Sequence, residues 1–77
     1  MAVVGNGEYE IGWTPGQMAP GKWQTDGAAR GTTDYAVVKA TASGSIDRFI
    51  NVDGPTTLTL QEGQTFENHA GTWVRIG

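Results

Sequence analysis

Thr56-Thr57-Leu58-Thr59-Leu60 alternates apolar and polar residues through its last four positions. Successive side chains of an extended chain point to opposite faces, so both leucines fall on one side and Thr57 and Thr59 on the other. That is the signature of a strand half-buried in an antiparallel sheet. Outward from it the pattern recurs. Glu8-Tyr9-Glu10-Ile11-Gly12-Trp13 sets Tyr9, Ile11 and Trp13 on one face and both glutamates on the other. Lys22-Trp23-Gln24-Thr25 turns Trp23 inward. Residues 33–42 place Tyr35 and Val37 on one face and Ala36, Val38 and Ala40 on the other, so both faces are partly buried. In Ile46-Asp47-Arg48-Phe49-Ile50-Asn51-Val52 the apolar Ile46, Ile50 and Val52 share their parity with Arg48, a conflict that a bulge or a snorkelling arginine resolves. Residues 65–68 and 72–76 complete about seven short strands, and no apolar face keeps helical spacing. The expected fold is all-β, a small antiparallel sandwich or barrel.

Glycine and proline supply the punctuation. Pro15-Gly16 and Pro20-Gly21 read as type II turns, with Gln17 and Met18 a short link between them. Asp26-Gly27, Ser43-Gly44-Ser45, Asp53-Gly54-Pro55, Glu62-Gly63-Gln64 and His69-Ala70-Gly71 mark the other breaks, and Ala28-Ala29-Arg30-Gly31 reads as the most mobile loop. The 77 residues allow one domain, expected over 7–77 behind an N-terminal arm at 1–6. Val, Ile, Leu and Phe number only fourteen, so Trp13, Trp23, Trp73, Tyr9 and Tyr35 are expected in the core.

Composition narrows the function. There is no cysteine, hence neither disulfide nor thiolate metal site, and stability must come from packing or assembly. The net charge is −3, and Lys22, Arg30, Lys39, Arg48 and Arg75 are dispersed, which argues against nucleic acid. No apolar run is long enough to span a bilayer, and the N-terminus lacks the features of an export signal. One histidine, and two serines within a turn, offer no nucleophile constellation, so an enzyme is not expected. Asp26, Asp34, Asp47 and Asp53 sit at turns as backbone caps, and neither a metal nor another cofactor is expected. The apolar tail Met1, Ala2, Val3 and Val4 is suited to joining the open sheet edge of a neighbour.

The turn glycines and aromatics also carry a resemblance. Gly7-x-Tyr9-x-Ile11-Gly12, then Ala19-Pro20-Gly21-Lys22-Trp23-x-Thr25, resembles a small β-domain common in actinobacterial envelope and exported proteins, which reads roughly G-x-Y-x-V-G and I-x-P-G-x-Y-x-T. The likeness continues through Tyr35, Gly44 with Ile46, residues 54–60, Phe66 and Gly71-Thr72-Trp73-Val74. The family usually has a cysteine just before the Tyr35 position and another just before the Gly71 position, which the resemblance implies are joined as a disulfide. Here those places hold Asp34 and Ala70, and Trp13-Thr14-Pro15-Gly16 is inserted after the first strand. The resemblance implies the fold and transfers no functional residue.

A cysteine-free copy without an export signal suits a reducing cytosol, where bacteriophages of such hosts assemble. The expectation is a phage virion component, a capsid decoration protein that binds the major capsid protein and forms a homo-oligomer, with a trimer favoured. Its contacts are expected from Met1, Ala2, Val3 and Val4, and from Trp13, Thr14 and Pro15. The competing expectations are a carbohydrate or cell-wall module using Trp13 or Tyr35, and a small intracellular regulator.

Overall fold

The computed structural model describes residues 2–27, 34–40 and 45–77. The readings of Met1, of the loop at 28–31, of the outer ends of the run at 33–42 and of Ser43-Gly44 lie outside the described residues. The strands are β1 (Val3–Val4), β2 (Gly7–Glu10), β3 (Gly21–Thr25), β4 (Asp34–Lys39), β5 (Ile46–Val52), β6 (Thr56–Leu60), β7 (Thr65–Asn68) and β8 (Trp73–Arg75). They form two antiparallel four-stranded sheets, in the orders β1-β8-β3-β6 and β2-β7-β4-β5. The domain is a small all-β sandwich. Among the described strands only β4 and β5 are consecutive within one sheet, and the other successive strands alternate between the two sheets.

Seven of these strands fall on the runs read from periodicity, and Leu58 and Leu60 point inward as the Thr-Leu alternation requires. The eighth corrects the domain boundary. Residues 3–4 are not an arm: Val3 pairs with Val74 and Val4 with Trp73, and Val4 is 3% exposed in the core. With so few aliphatic residues the chain uses Val4 to close its own interior. Met18, read as part of a link, is likewise fully buried and bridges Ile11.

Between the sheets lie Trp23, Trp73, Phe66, Met18, Leu58, Leu60, Val38 and Val52. Phe66 meets Trp73 edge to face, with centroids 5.4 Å apart at 90°. Each buried indole finds an acceptor: Trp23 Nε1 donates to the Ala19 carbonyl and Trp73 Nε1 to Asn68 Oδ1, both at 2.8 Å. Asn68 is wholly buried and makes four bonds. Its Nδ2 donates to the carbonyls of Gly5 (2.9 Å) and Gly71 (2.6 Å), and its Oδ1 also accepts the Ala70 N–H (2.9 Å).

Among the described residues, the first of the two Pro-Gly turns follows its residues and the second does not. Gly16 has φ +89 and Gln17 N–H donates to the Thr14 carbonyl at 3.0 Å, as a type II turn at Pro15-Gly16 requires. Gly21, at φ +131, instead opens β3. At Gly27 the φ is +99, and a Cβ there would stand 2.9 Å from the Gly54 backbone. Gly27→Ala is therefore expected to lose about 2–3 kcal/mol through strain and backbone displacement, read as a lower urea midpoint with an unchanged slope.

Candidate interaction surfaces

The two elements expected to make contacts meet around Arg75. The Ala2 carbonyl accepts the Arg75 backbone N–H at 2.9 Å, tying β1 to β8. The Arg75 guanidinium lies 5.7 Å from the centre of the Trp13 ring, and its Nε donates to the Pro20 carbonyl at 2.9 Å. Trp13 is 66% exposed, which corrects its assignment to the face of Tyr9 and Ile11. Strand β2 stops at Glu10, Ile11 closes onto Met18, and the turn at Thr14 lifts Trp13 out of the strand plane. Thr14 and Pro15 are exposed beside it, and the Thr14 N–H donates to Gln17 Oε1 at 3.1 Å. Val3 is exposed opposite Val74, while Val4 is withdrawn into the core and offers nothing to a partner. The same sheet carries a groove of about 430 Å³ lined by Gln24, Asp26, Thr72, Val74 and Ile76 among others.

A second surface, on the other sheet, was not anticipated. In the β4–β5 ladder Val38 stands opposite Arg48 but Lys39 stands opposite Ile46, so Asp47 is an extra residue in β5. Such a bulge shifts the alternation by one, and Ile46 moves from the core side to the outer face, where it is 63% exposed. Arg48 keeps its inward parity and resolves the conflict by reaching across the sandwich, donating from Nη2 to the Thr59 carbonyl at 2.7 Å. Phe49, opposite Val37, is 56% exposed. Its ring lies nearly parallel to that of Tyr35, 8° between planes and 5.4 Å between centroids. On the far side of Tyr35 the imidazole of His69 stacks at 4.5 Å. The three rings therefore form a row across the sheet with their faces turned to one another. Phe49 belonged to no residue set singled out above, and Ile46 to the wrong face.

Beside the rings runs a line of charges. Lys39 Nζ lies 3.5 Å from Glu8 Oε2 and 3.7 Å from Glu67 Oε2, and His69 Nε2 lies 3.2 Å from Glu67 Oε1. The hydrogen bond from His69, helped by the Lys39 charge, holds the Glu67 carboxyl below its ordinary value of 4.5. A carboxyl depressed on folding contributes stability that is present above its unfolded value and disappears as pH falls through the folded one. The difference in melting temperature between the native protein and Glu67→Gln is thus expected to be largest near neutrality, to shrink as pH falls below 4.5, and to vanish in stronger acid.

Among the described residues no group of three or more His, Asp or Glu side chains is placed to hold a metal. No family model, no curated protein and no solved structure matches this chain.

Proposed function

We propose that this chain is a non-catalytic assembly protein, a capsid decoration protein of a bacteriophage, which docks on the major capsid protein and associates with its own copies. The observation that carries the docking is the placement of its exposed apolar side chains. The accessible surface, 4444 Å², is close to the roughly 4,500 Å² that a compact chain of this mass retains, so a loose fold does not account for them. Among the described residues six of them fall on two opposite sheets, Val3, Val74 and Ile76 on one and Tyr35, Ile46 and Phe49 on the other, and Trp13 stands between β2 and β3. Two such surfaces on one small domain suit a protein that touches both a lattice and a neighbour of its own kind. Residence in the virion after synthesis in the host cytoplasm belongs to the same proposal.

Support for the actinobacterial likeness behind this reading comes from register. Strands β4 and β7 pair Ala36 with Asn68, and the His69 N–H donates to the Tyr35 carbonyl at 3.1 Å. Extended by two residues beyond the end of β7, that register would set Asp34 opposite Ala70, the two positions that the resembling family gives to cysteine. Neighbouring strands at such a pair lie within disulfide reach.

The carbohydrate reading asks for exposed aromatics on one flat face, and Tyr35 and Phe49 share a face. Sugar stacking, however, uses open ring faces, and these rings cover each other. Trp13 stands apart with Arg75 over it. Protein docking is therefore preferred. The test is the double variant Ile46→Ser/Phe49→Ser, whose side chains lie outside the core. It is expected to melt within a few degrees of the native protein and to lose about tenfold or more in affinity for purified phage particles. Undiminished particle binding by this variant and by Val3→Ser/Val74→Ser would remove the docking assignment.

A further inference from the structure

Of the three asparagines, Asn6, Asn51 and Asn68, only Asn6 is followed by glycine. Attack by the backbone nitrogen of the next residue on an asparagine Cγ closes a five-membered ring, and a Cβ on that next residue crowds the approach; Gly7 has none. Asn6 is exposed in the crossover between β1 and β2, outside any strand, where water reaches it. An independent observation concerns its side-chain oxygen. Asn6 Oδ1 accepts the backbone N–H of Gly71 at 2.8 Å. That oxygen gains negative charge as the ring closes, and a fixed N–H donor aimed at it is the arrangement that stabilises a tetrahedral intermediate. Asn51 precedes the β-branched Val52, and Asn68 is buried with its amide in four bonds.

We propose that Asn6 is a site of spontaneous modification, at which the side-chain amide is lost and aspartate and isoaspartate accumulate. The Gly7 nitrogen forms a bond to Asn6 Cγ, and the Cγ–Nδ2 bond breaks. Ammonia leaves with the proton that Gly7 gave up, and a cyclic imide remains. Water then opens either imide carbonyl, giving aspartate or isoaspartate without any oxidation or reduction. The net charge, −3 at the outset, becomes one unit more negative.

The two products differ in consequence. Aspartate keeps an acceptor for the Gly71 N–H. Isoaspartate adds a methylene to the main chain between Val4, in the core, and Gly7, the first residue of β2. Between them the Gly5 carbonyl is held by Asn68 Nδ2 at 2.9 Å and by the Tyr9 hydroxyl at 3.0 Å. Lengthening the chain there releases β1 from β8, so the protein carries a clock that loosens its own N-terminal edge.

The experiment holds the purified full-length chain in mildly alkaline buffer and follows it by intact mass and by peptide mapping with an isoaspartate readout. A free peptide of residues 3–10 serves as reference. Conversion is expected at Asn6 ahead of Asn51 and Asn68, at a rate within about tenfold of the peptide, and isoaspartate at residue 6 is expected to speed amide exchange in β1. Asn6→Gln should hold its mass over the same period; it is the control of choice because Gly7, at φ +143, strains under any side chain. A folded chain that keeps its Asn6 amide while the peptide converts fully, or that loses the Asn51 amide first, overturns the proposal.

Discussion

Asn68→Leu is expected to leave the domain unfolded or at the edge of unfolding under conditions where the native chain is fully folded. The substitution replaces the carboxamide by an apolar group with the same number of heavy atoms and removes all four hydrogen bonds at once. The Trp73 indole N–H, the Ala70 N–H and the Gly71 carbonyl lose their partner together, and the Gly5 carbonyl is left with the Tyr9 hydroxyl alone. A buried polar group left without a partner costs roughly 1–3 kcal/mol, so the loss is about 4–8 kcal/mol if part of the site admits water. A domain of this length has only about 4–12 kcal/mol in total. The same amide also ties β7 of one sheet to the crossover from the other, so the loss falls on the joint between layers as well as on the core. Denaturation followed by tryptophan fluorescence, with Asn51→Leu as the exposed counterpart, checks the expectation. Asn51→Leu should move stability by no more than about 0.5 kcal/mol. A cooperative Asn68→Leu protein with an undiminished midpoint would show that the buried amide is not the joint.

The second large effect has the opposite sign. Asp34→Cys/Ala70→Cys is expected to form a disulfide in air and to gain about 3–4 kcal/mol, because the closed loop joins strands far apart in sequence and the bridge restricts the unfolded chain. The expectation rests on extending the β4–β7 register, which ends with Ala36 opposite Asn68, by two residues. The gain should vanish on reduction. A double variant that stays reduced in air, or that oxidises only between molecules, would remove the register argument for the proposed likeness.

Much of this architecture is legible in the residues, for definite reasons. Thr-Leu alternation reports the face of β6 because the side-chain period of a strand is two, and Trp23 and Phe66 are buried because a chain with two leucines needs its large aromatics inside. What escapes is whatever depends on a break in that period. Ile46 and Ile50 share parity in the sequence, yet the extra residue at Asp47 puts them on opposite faces, and nothing local marks where the bulge falls. Trp13 continues the parity of Tyr9 and Ile11 on paper, but its strand has already ended. Val4 and Met18 sit in segments too short for any period, so their burial is decided by distant partners, Trp73 and Ile11. The contact surfaces divide in the same way: Val3, Thr14 and Pro15 are exposed, as is Trp13 against its reading as core, whereas the ring row of Phe49, Tyr35 and His69 exists only after β5, β4 and β7 are laid side by side.

The central claim is that this domain binds an assembled shell through its exposed apolar faces. A decoration protein that recognises the lattice and not its free subunit stabilises the shell by mass action, so its binding must depend on assembly. The most direct measurement is sedimentation of the purified protein with intact phage particles and, in parallel, with dissociated major capsid protein of the same phage, followed by quantitation of the bound fraction. Saturable co-sedimentation with particles at a fixed ratio to the capsid protein, and none with the dissociated subunits, is the predicted result. A protein that stays in the supernatant at every particle concentration contradicts the account.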